Sequence, residues 1–276
     1  MRIVDTHAHI YSEDEVTYPK IAEPLRPPKG MGTEERLRAE VETNGVHRVV
    51  LIQTLTAYRY DNRLTCAVAN ANRVWTTGVC TLNPIAPETP ATLERLVREN
   101  NLRGTRVYPT SGSQPTLRHE GYFHLWQTAE RLSIVVQILV DRPLADELSF
   151  YLEAFPETPV VLDHCMNYRA GDDATLQTVC DMARHPNLIA KLSFVVTGSD
   201  DPYPCADTHD AIRKIIAAYT PERCIWGSDF PCELWCPKVT YATHLRIFTY
   251  ELGLDDATQR AVLGETAMRV WFPSEA

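Results

Sequence analysis

Two histidines separated by one residue, His7 and His9 in "VDTHAHIY", stand near the start of the chain. A third, His164, follows the apolar run "VVLD", and an aspartate, Asp229, follows "IWGS". Two or three neutral imidazoles with one carboxylate are a suitable ligand set for Zn²⁺ or Mn²⁺, with a position left open for water. Arg106 and Lys191 add positive charge, and an arginine pairs with a substrate carboxylate through two parallel hydrogen bonds. Each of these residues alone says little. A strand-end aspartate is often a turn former, and a lysine at a strand end often reaches out to solvent. Their weight comes from meeting, so the fold must bring positions 7, 9, 106, 164, 191 and 229 together.

Short apolar, β-branched runs bounded by turn residues recur along the chain. They cover 2–9, 47–54, 76–82, 103–108, 133–140, 159–165, 188–194 and 223–230. Between them lie stretches with apolar residues at helical spacing, such as "TEERLRAEVETNG", which opens on a threonine cap and closes on Gly45. Two more helices are expected after the last strand, in "YATHLRIFTYELG" and "DATQRAVLGETAMRVW". Eight strands alternating with helices predict an α/β fold, a single-domain (β/α)8 TIM barrel over residues 1–276. A doubly wound open sheet would carry a glycine-rich phosphate turn after the first strand, where this chain has "THAHIYSED".

The connections are unequal. Those returning to a strand are short ("NGV", "HPN", "TPE"), whereas "YSEDEVTYPKIAEPLRPPKGMG" and "YPTSGSQPTLRHEG" lead away from strands. In a barrel these long loops leave the C-terminal face, where active sites of this fold lie. Strand alternation puts Asp5, His7 and His9 on one face, and likewise Val49, Leu51 and Gln53. It groups Gly104, Arg106 and Tyr108; Val135, Gln137 and Leu139; Val160, Leu162 and His164. It also groups Ile189, Lys191 and Ser193, and Ile225, Gly227 and Asp229. His7, His9, His164 and Asp229 are thus expected as metal ligands at the barrel mouth. Arg106, Tyr108, Gln53, Gln137 and Lys191 are the expected substrate-binding residues. Cys165, next to His164, is expected to face behind the strand.

The 276-residue chain carries a net charge of −9, which disfavours non-specific nucleic-acid binding, and a cationic cleft in such a chain suits a small anionic substrate. No apolar stretch approaches the ~18–20 residues of a membrane span, and no signal-peptide pattern opens the chain. Eight scattered cysteines fit reduced thiols, so a cytoplasmic protein is expected. The loops leave room for a homo-oligomer.

The stretches "VDTHAHIY", "VLIQT", "LRGTRVYP", "VVLDHC", "NLIAKLS" and "IWGSDFP", in that order, resemble the amidohydrolase superfamily. The resemblance is to the branch that includes pyrone-dicarboxylate lactonase, sulfomuconolactone hydrolase and sugar-acid lactonases. It implies that His7 and His9 are first-strand ligands and His164 the third imidazole. It implies that Asp229 is the general base acting on water, and that Arg106 holds a substrate carboxylate or polarises the carbonyl. Gln137 stands where a bridging acid would be needed, which argues against a two-metal site. One divalent ion is therefore expected, Zn²⁺ or else Mn²⁺, although some members of the branch work without metal. The implied reaction is hydrolysis of a lactone, with a carboxylated lactone of aromatic catabolism favoured over a sugar-acid lactone. Decarboxylation within the same superfamily is the alternative enzyme reading, and a small-acid binding protein the non-enzyme one. No G-x-S-x-G elbow is present to support a serine hydrolase.

Overall fold

The computed structural model describes residues 1–273. Among them, eight parallel strands follow one another in chain order. They are β1 (Val4–Ala8), β2 (Arg48–Ile52), β3 (Thr76–Thr81), β4 (Leu102–Val107), β5 (Val135–Ile138), β6 (Val160–Leu162), β7 (Leu188–Lys191) and β8 (Cys224–Ile225). The barrel closes where Thr6 N donates to Trp226 O at 3.2 Å and His9 N donates to Phe230 O at 2.8 Å. A bridge between Ala8 and Phe230 extends that seam. The result is the expected single-domain (β/α)8 barrel.

Two apolar layers account for the strand composition. Val49, Leu51, Val136, Ile138, Val160 and Leu162 face outward, into the layer shared with the helices. Val4, Val50, Ile52, Val79, Val135, Val161, Ile189 and Ile225 form the inner layer. Such strands are buried on both faces, so their sequences read as continuous apolar runs rather than alternating ones. The last helix, Thr266–Trp271, plugs the barrel floor with Met268 and Trp271. Gly104 makes room for that plug, since a Cβ there would lie 2.8 Å from the Trp271 ring.

The strands are shorter than the runs that announced them. The expected 159–165 and 223–230 strands stop at Leu162 and Ile225. Beyond those points the backbone leaves the extended region: His164, Cys165, Met166, Asn167 and Asp229 all have positive φ. The expected helix over 241–253 begins as an α-helix at Tyr241–Arg246 and widens to a π-helix at Ile247–Glu251. That over 256–271 is interrupted by a π segment at Ala261–Glu265. All eight cysteines are free. No helix of the described residues is long and apolar enough to cross a membrane.

Candidate active site

β1 does not keep strict alternation. Val4 pairs with Arg48 and Asp5 with Val49, but Ala8 pairs with Leu51, so one extra residue is accommodated between Asp5 and Ala8. Such a bulge flips the side chains that follow it. Asp5 therefore points away from the barrel interior, contrary to the face it was expected to share with His7 and His9. Its buried carboxylate accepts from His7 N (3.0 Å), Ser228 N (2.9 Å), Ser228 Oγ (2.6 Å) and Tyr241 Oη (2.9 Å). It ties β1 to the turn after β8.

Past the bulge His7 enters the interior and His9 reaches the mouth. Their Nε2 atoms are 3.1 Å apart. Asp229 Oδ1 lies 3.3 Å from His7 Nε2, and Asp229 Oδ2 lies 3.4 Å from His164 Nδ1. The left-handed backbone at Asp229 (φ 54°) turns its carboxylate over the seam. His164 arrives by a different route from the one expected. Val160 and Leu162 face the helices, so alternation would have turned His164 outward. Its positive φ of 49° turns the imidazole back to the mouth, where Ser193 Oγ lies 2.8 Å from Nδ1.

The inward position of β6 belongs to Asp163, a residue sequence reasoning missed. It is fully buried, and its Oδ2 accepts from Arg106 Nε at 2.6 Å and Gln137 Nε2 at 2.8 Å. Lys191 Nζ lies 3.0 Å from its Oδ1. The available signal was Val161, two residues earlier: it pairs with Gln137 across the sheet and faces inward, so the position two residues on faces inward as well.

Three residues expected to contact substrate lie away from the cavity. Gln53 continues the outward row of Val49 and Leu51, and its amide is spent on Thr65 Oγ1, Arg59 O and Asp61 O. Gln137 is fully buried beneath Arg106 and bonds to Asp163. Lys191, also fully buried, lies under His7 with Nζ bonded to Thr6 O at 3.1 Å. None of the three borders the cavity of about 290 Å³ at the mouth, whereas His9, Arg106, Tyr108, His164, Asp229 and Trp235 do. Arg106 stacks on Tyr108, its guanidinium 5.0 Å from the ring centre. Cys165 does face behind the site, with Sγ directed at Lys191 O.

Burial decides most protonation states here. It pushes His9 and His164 down to about 3 and His7 well below its ordinary value, so all three imidazoles are neutral near pH 7. Burial also pushes the Asp229 carboxyl up to about 8. Asp163 is the opposite case. Burial would raise it, but Arg106 and Lys191 hold it well below the usual carboxylate range.

Neutral imidazoles beside a carboxylate are what a divalent cation requires, because a ligand must offer a lone pair. His7, His9 and Asp229 each offer an atom within 4.8 Å of the others, as do His7, Asp163 and His164. His9 Nδ1 donates to Ile52 O at 2.9 Å, which leaves a lone pair on Nε2 facing the cluster. The donor set therefore fits one divalent ion.

Comparison with known proteins agrees with this architecture. The L-fucono-1,5-lactonase of Burkholderia ambifaria is 23% identical over 248 residues, covering 83% of this chain and 80% of that protein. A crystal structure of a probable 2-pyrone-4,6-dicarboxylic acid hydrolase from Acinetobacter baumannii, with citric acid bound, superposes with a TM-score of 0.83 at 17% identity. It covers 99% of this chain and 100% of that one. An amidohydrolase from Burkholderia multivorans with bound zinc gives a TM-score of 0.75 at 20% identity, covering 99% of each chain. The amidohydrolase family model matches residues 4–272, from the first strand to the helix that plugs the floor, and the chain belongs to that family.

Proposed function

We propose that this protein hydrolyses a lactone, and that the lactone carries a carboxylate. The observation that carries this reading is the pairing, in one cavity, of a buried carboxylate among imidazoles with an arginine held in place for an anion. Asp163 takes Nε of Arg106 and Tyr108 lies along the guanidinium face, so the Nη groups are left to meet a substrate carboxylate. Arg106 and Lys191 both pair with Asp163, which fixes the guanidinium in place for an anion. The similarity to an L-fucono-1,5-lactonase and to a probable 2-pyrone-4,6-dicarboxylic acid hydrolase supports lactone opening in general.

In this mechanism Asp229, in its ionised form, accepts a proton from water as the oxygen attacks the lactone carbonyl. The carbonyl oxygen becomes an oxyanion held by donors on the His7 and His164 side. Collapse of the tetrahedral intermediate breaks the bond to the ring oxygen. That oxygen leaves with the proton Asp229 took up, which restores the carboxylate. His7, His9 and Asp229, with His164 beside them, are the residues that would hold a divalent cation. When bound, such an ion supplies positive charge that acidifies nearby water and polarises the carbonyl; zinc is the ion favoured by imidazole-rich ligands.

The test is a panel of carboxylated lactones and neutral sugar-acid lactones, run on the protein and on Asp229→Asn. Asn keeps the shape and removes the base. Turnover of a carboxylated lactone is expected to fall by about 10²–10⁴-fold in the variant, with the fold intact by circular dichroism. Full activity in Asp229→Asn would remove Asp229 from the mechanism. Preference for neutral lactones would remove the substrate carboxylate.

A further inference from the structure

Lys191 is a fully buried cation in contact with a histidine of the cluster, and the reaction above gives it no step. Its Nζ faces three acceptor atoms: Thr6 O at 3.1 Å, Asp163 Oδ1 at 3.0 Å and His7 Nδ1 at 3.2 Å. An ammonium has three N–H groups and no lone pair, so it can only donate: Thr6 O and His7 Nδ1 accept hydrogen bonds, and Asp163 Oδ1 forms the ion pair. His7 Nδ1 can accept from Lys191 only while it carries no proton. The proton of the neutral ring then lies on Nε2.

The neighbours on the other side of the ring fit that arrangement. His7 Nε2 lies 3.1 Å from His9 Nε2 and 3.3 Å from Asp229 Oδ1. His9 Nε2 is an acceptor, because His9 Nδ1 gives its hydrogen to Ile52 O. A single direction of donation therefore runs from Lys191 through His7 to His9 and Asp229. The alternative, with the proton on His7 Nδ1, would have to reach Asp163 Oδ1 at 3.7 Å past Lys191 Nζ, which stands nearer at 3.2 Å with donors only.

A cation in the cluster needs the opposite tautomer, with the lone pair on His7 Nε2. Histidines that bind metal usually donate their other N–H to a carboxylate or carbonyl, which fixes the ring for ligation. Here that partner is replaced by a lysine. We propose that Lys191 is a positioning residue that holds His7 in the Nε2–H tautomer and so restrains divalent metal binding, making the metal-free cluster a hydrogen-bond donor site. The proposal rests on His7 being a ligand when metal is bound.

The tautomer is read directly in the metal-free protein, without substrate, from the ¹⁵N shifts of histidine-labelled protein, with His7 assigned by its loss in His7→Gln. A protonated Nε2 and bare Nδ1 on His7 are expected. A protonated Nδ1 overturns the proposal. The second measurement is Zn²⁺ affinity by competition with a chromophoric chelator, in the protein and in Lys191→Met, which keeps the length and removes the donors. Changing a group that hydrogen-bonds a metal's ligand alters metal affinity by on the order of 10–100-fold, and here the expected change is a gain of that size. A folded Lys191→Met protein with unchanged or weaker Zn²⁺ binding overturns it. Should Lys191→Met fail to fold, the spectrum of the unaltered protein decides alone. The expected tautomer and affinity gain in a protein that opens no lactone would uphold this inference while removing the proposed function.

Discussion

His164 and Asp163 show what a residue's neighbours conceal in a sequence. In "VVLDHC" the histidine draws attention, and it does reach the cavity, but only because its backbone is left-handed. Strand periodicity, correctly applied, would have sent it outward and pointed to Asp163. His7 and His9 were legible because they stand at a strand end, yet the bulge that admits His7 leaves no mark in the letters. Gln53, Gln137 and Lys191 lie away from the cavity because a polar residue on a barrel strand can serve the scaffold around a site: Gln53 bonds outward to Thr65 and the carbonyls of Arg59 and Asp61, and Gln137 and Lys191 meet Asp163. Asp229 was legible as an acid at the end of β8, and its environment makes a prediction at this scale. Burial raises its carboxyl to about 8, and the proposed base must be ionised to act. Below that value the neutral form dominates, so kcat/KM of the chelated protein is expected to rise with pH through about 8. A bound cation favours the ionised form, so the rise moves to lower pH on adding metal. A pH–rate profile with and without chelator checks both. A flat profile between pH 6 and 9 without metal would exclude Asp229 as the titrating base.

The elements that position the site are short, and His9, His164 and Asp229 stand just past their ends. β8 ends at Ile225, and the five residues that follow, Trp226 to Phe230, lie against β1 rather than continuing a full ladder. The side chain of Asp5 fastens this segment through Ser228, and Ser228 Oγ in turn accepts from Phe230 N at 3.0 Å. Eight strand-like runs could be read from composition because both faces of each strand are apolar. Their ends could not, since the departure is set by close contact across the seam. Gly227 shows the contact: a Cβ there would lie 2.7 Å from His7 Cβ and 3.0 Å from His7 N. Both belong to a strand that cannot retreat easily. Gly227→Ala is therefore expected to cost about 1–3 kcal/mol of stability, the range for overpacked interiors. Turnover should fall further than that loss implies, because His7 and Asp229 are pushed apart. Urea denaturation with steady-state kinetics measures both, and an unchanged kcat would show that the seam does not set the spacing of the two groups.

Across the whole molecule, the floor and the mouth divide the work. The inner apolar layer and the Trp271 plug hold the barrel shut from below, and the ionisable groups crowd the opposite end. That division was readable, since loop lengths alone marked the functional face. What composition could not reveal is how many histidines are buried as neutral rings. His9 and His164 are lowered to about 3, and His244, behind β8, is lowered to about 4 by burial. Trp226 Nε1 donates to His244 Nδ1 at 3.0 Å, so the His244 proton is on Nε2, which has no partner among the described residues. The linkage has a definite sign. Above about 6.5 neither folded nor unfolded His244 binds a proton. Between 6.5 and 4 the unfolded chain binds one and the folded chain does not, so stability falls as pH falls; below about 4 the slope from this group ends. Each such histidine adds about 1.4 kcal/mol of loss per pH unit in that window. His244→Gln keeps an acceptor for Trp226 and removes the titration, so its denaturation free energy should fall less steeply between pH 6.5 and 4. Because His244 lies apart from the cavity, the change isolates the stability effect from catalysis. Parallel slopes for the two proteins would mean that His244 is already charged in the folded state.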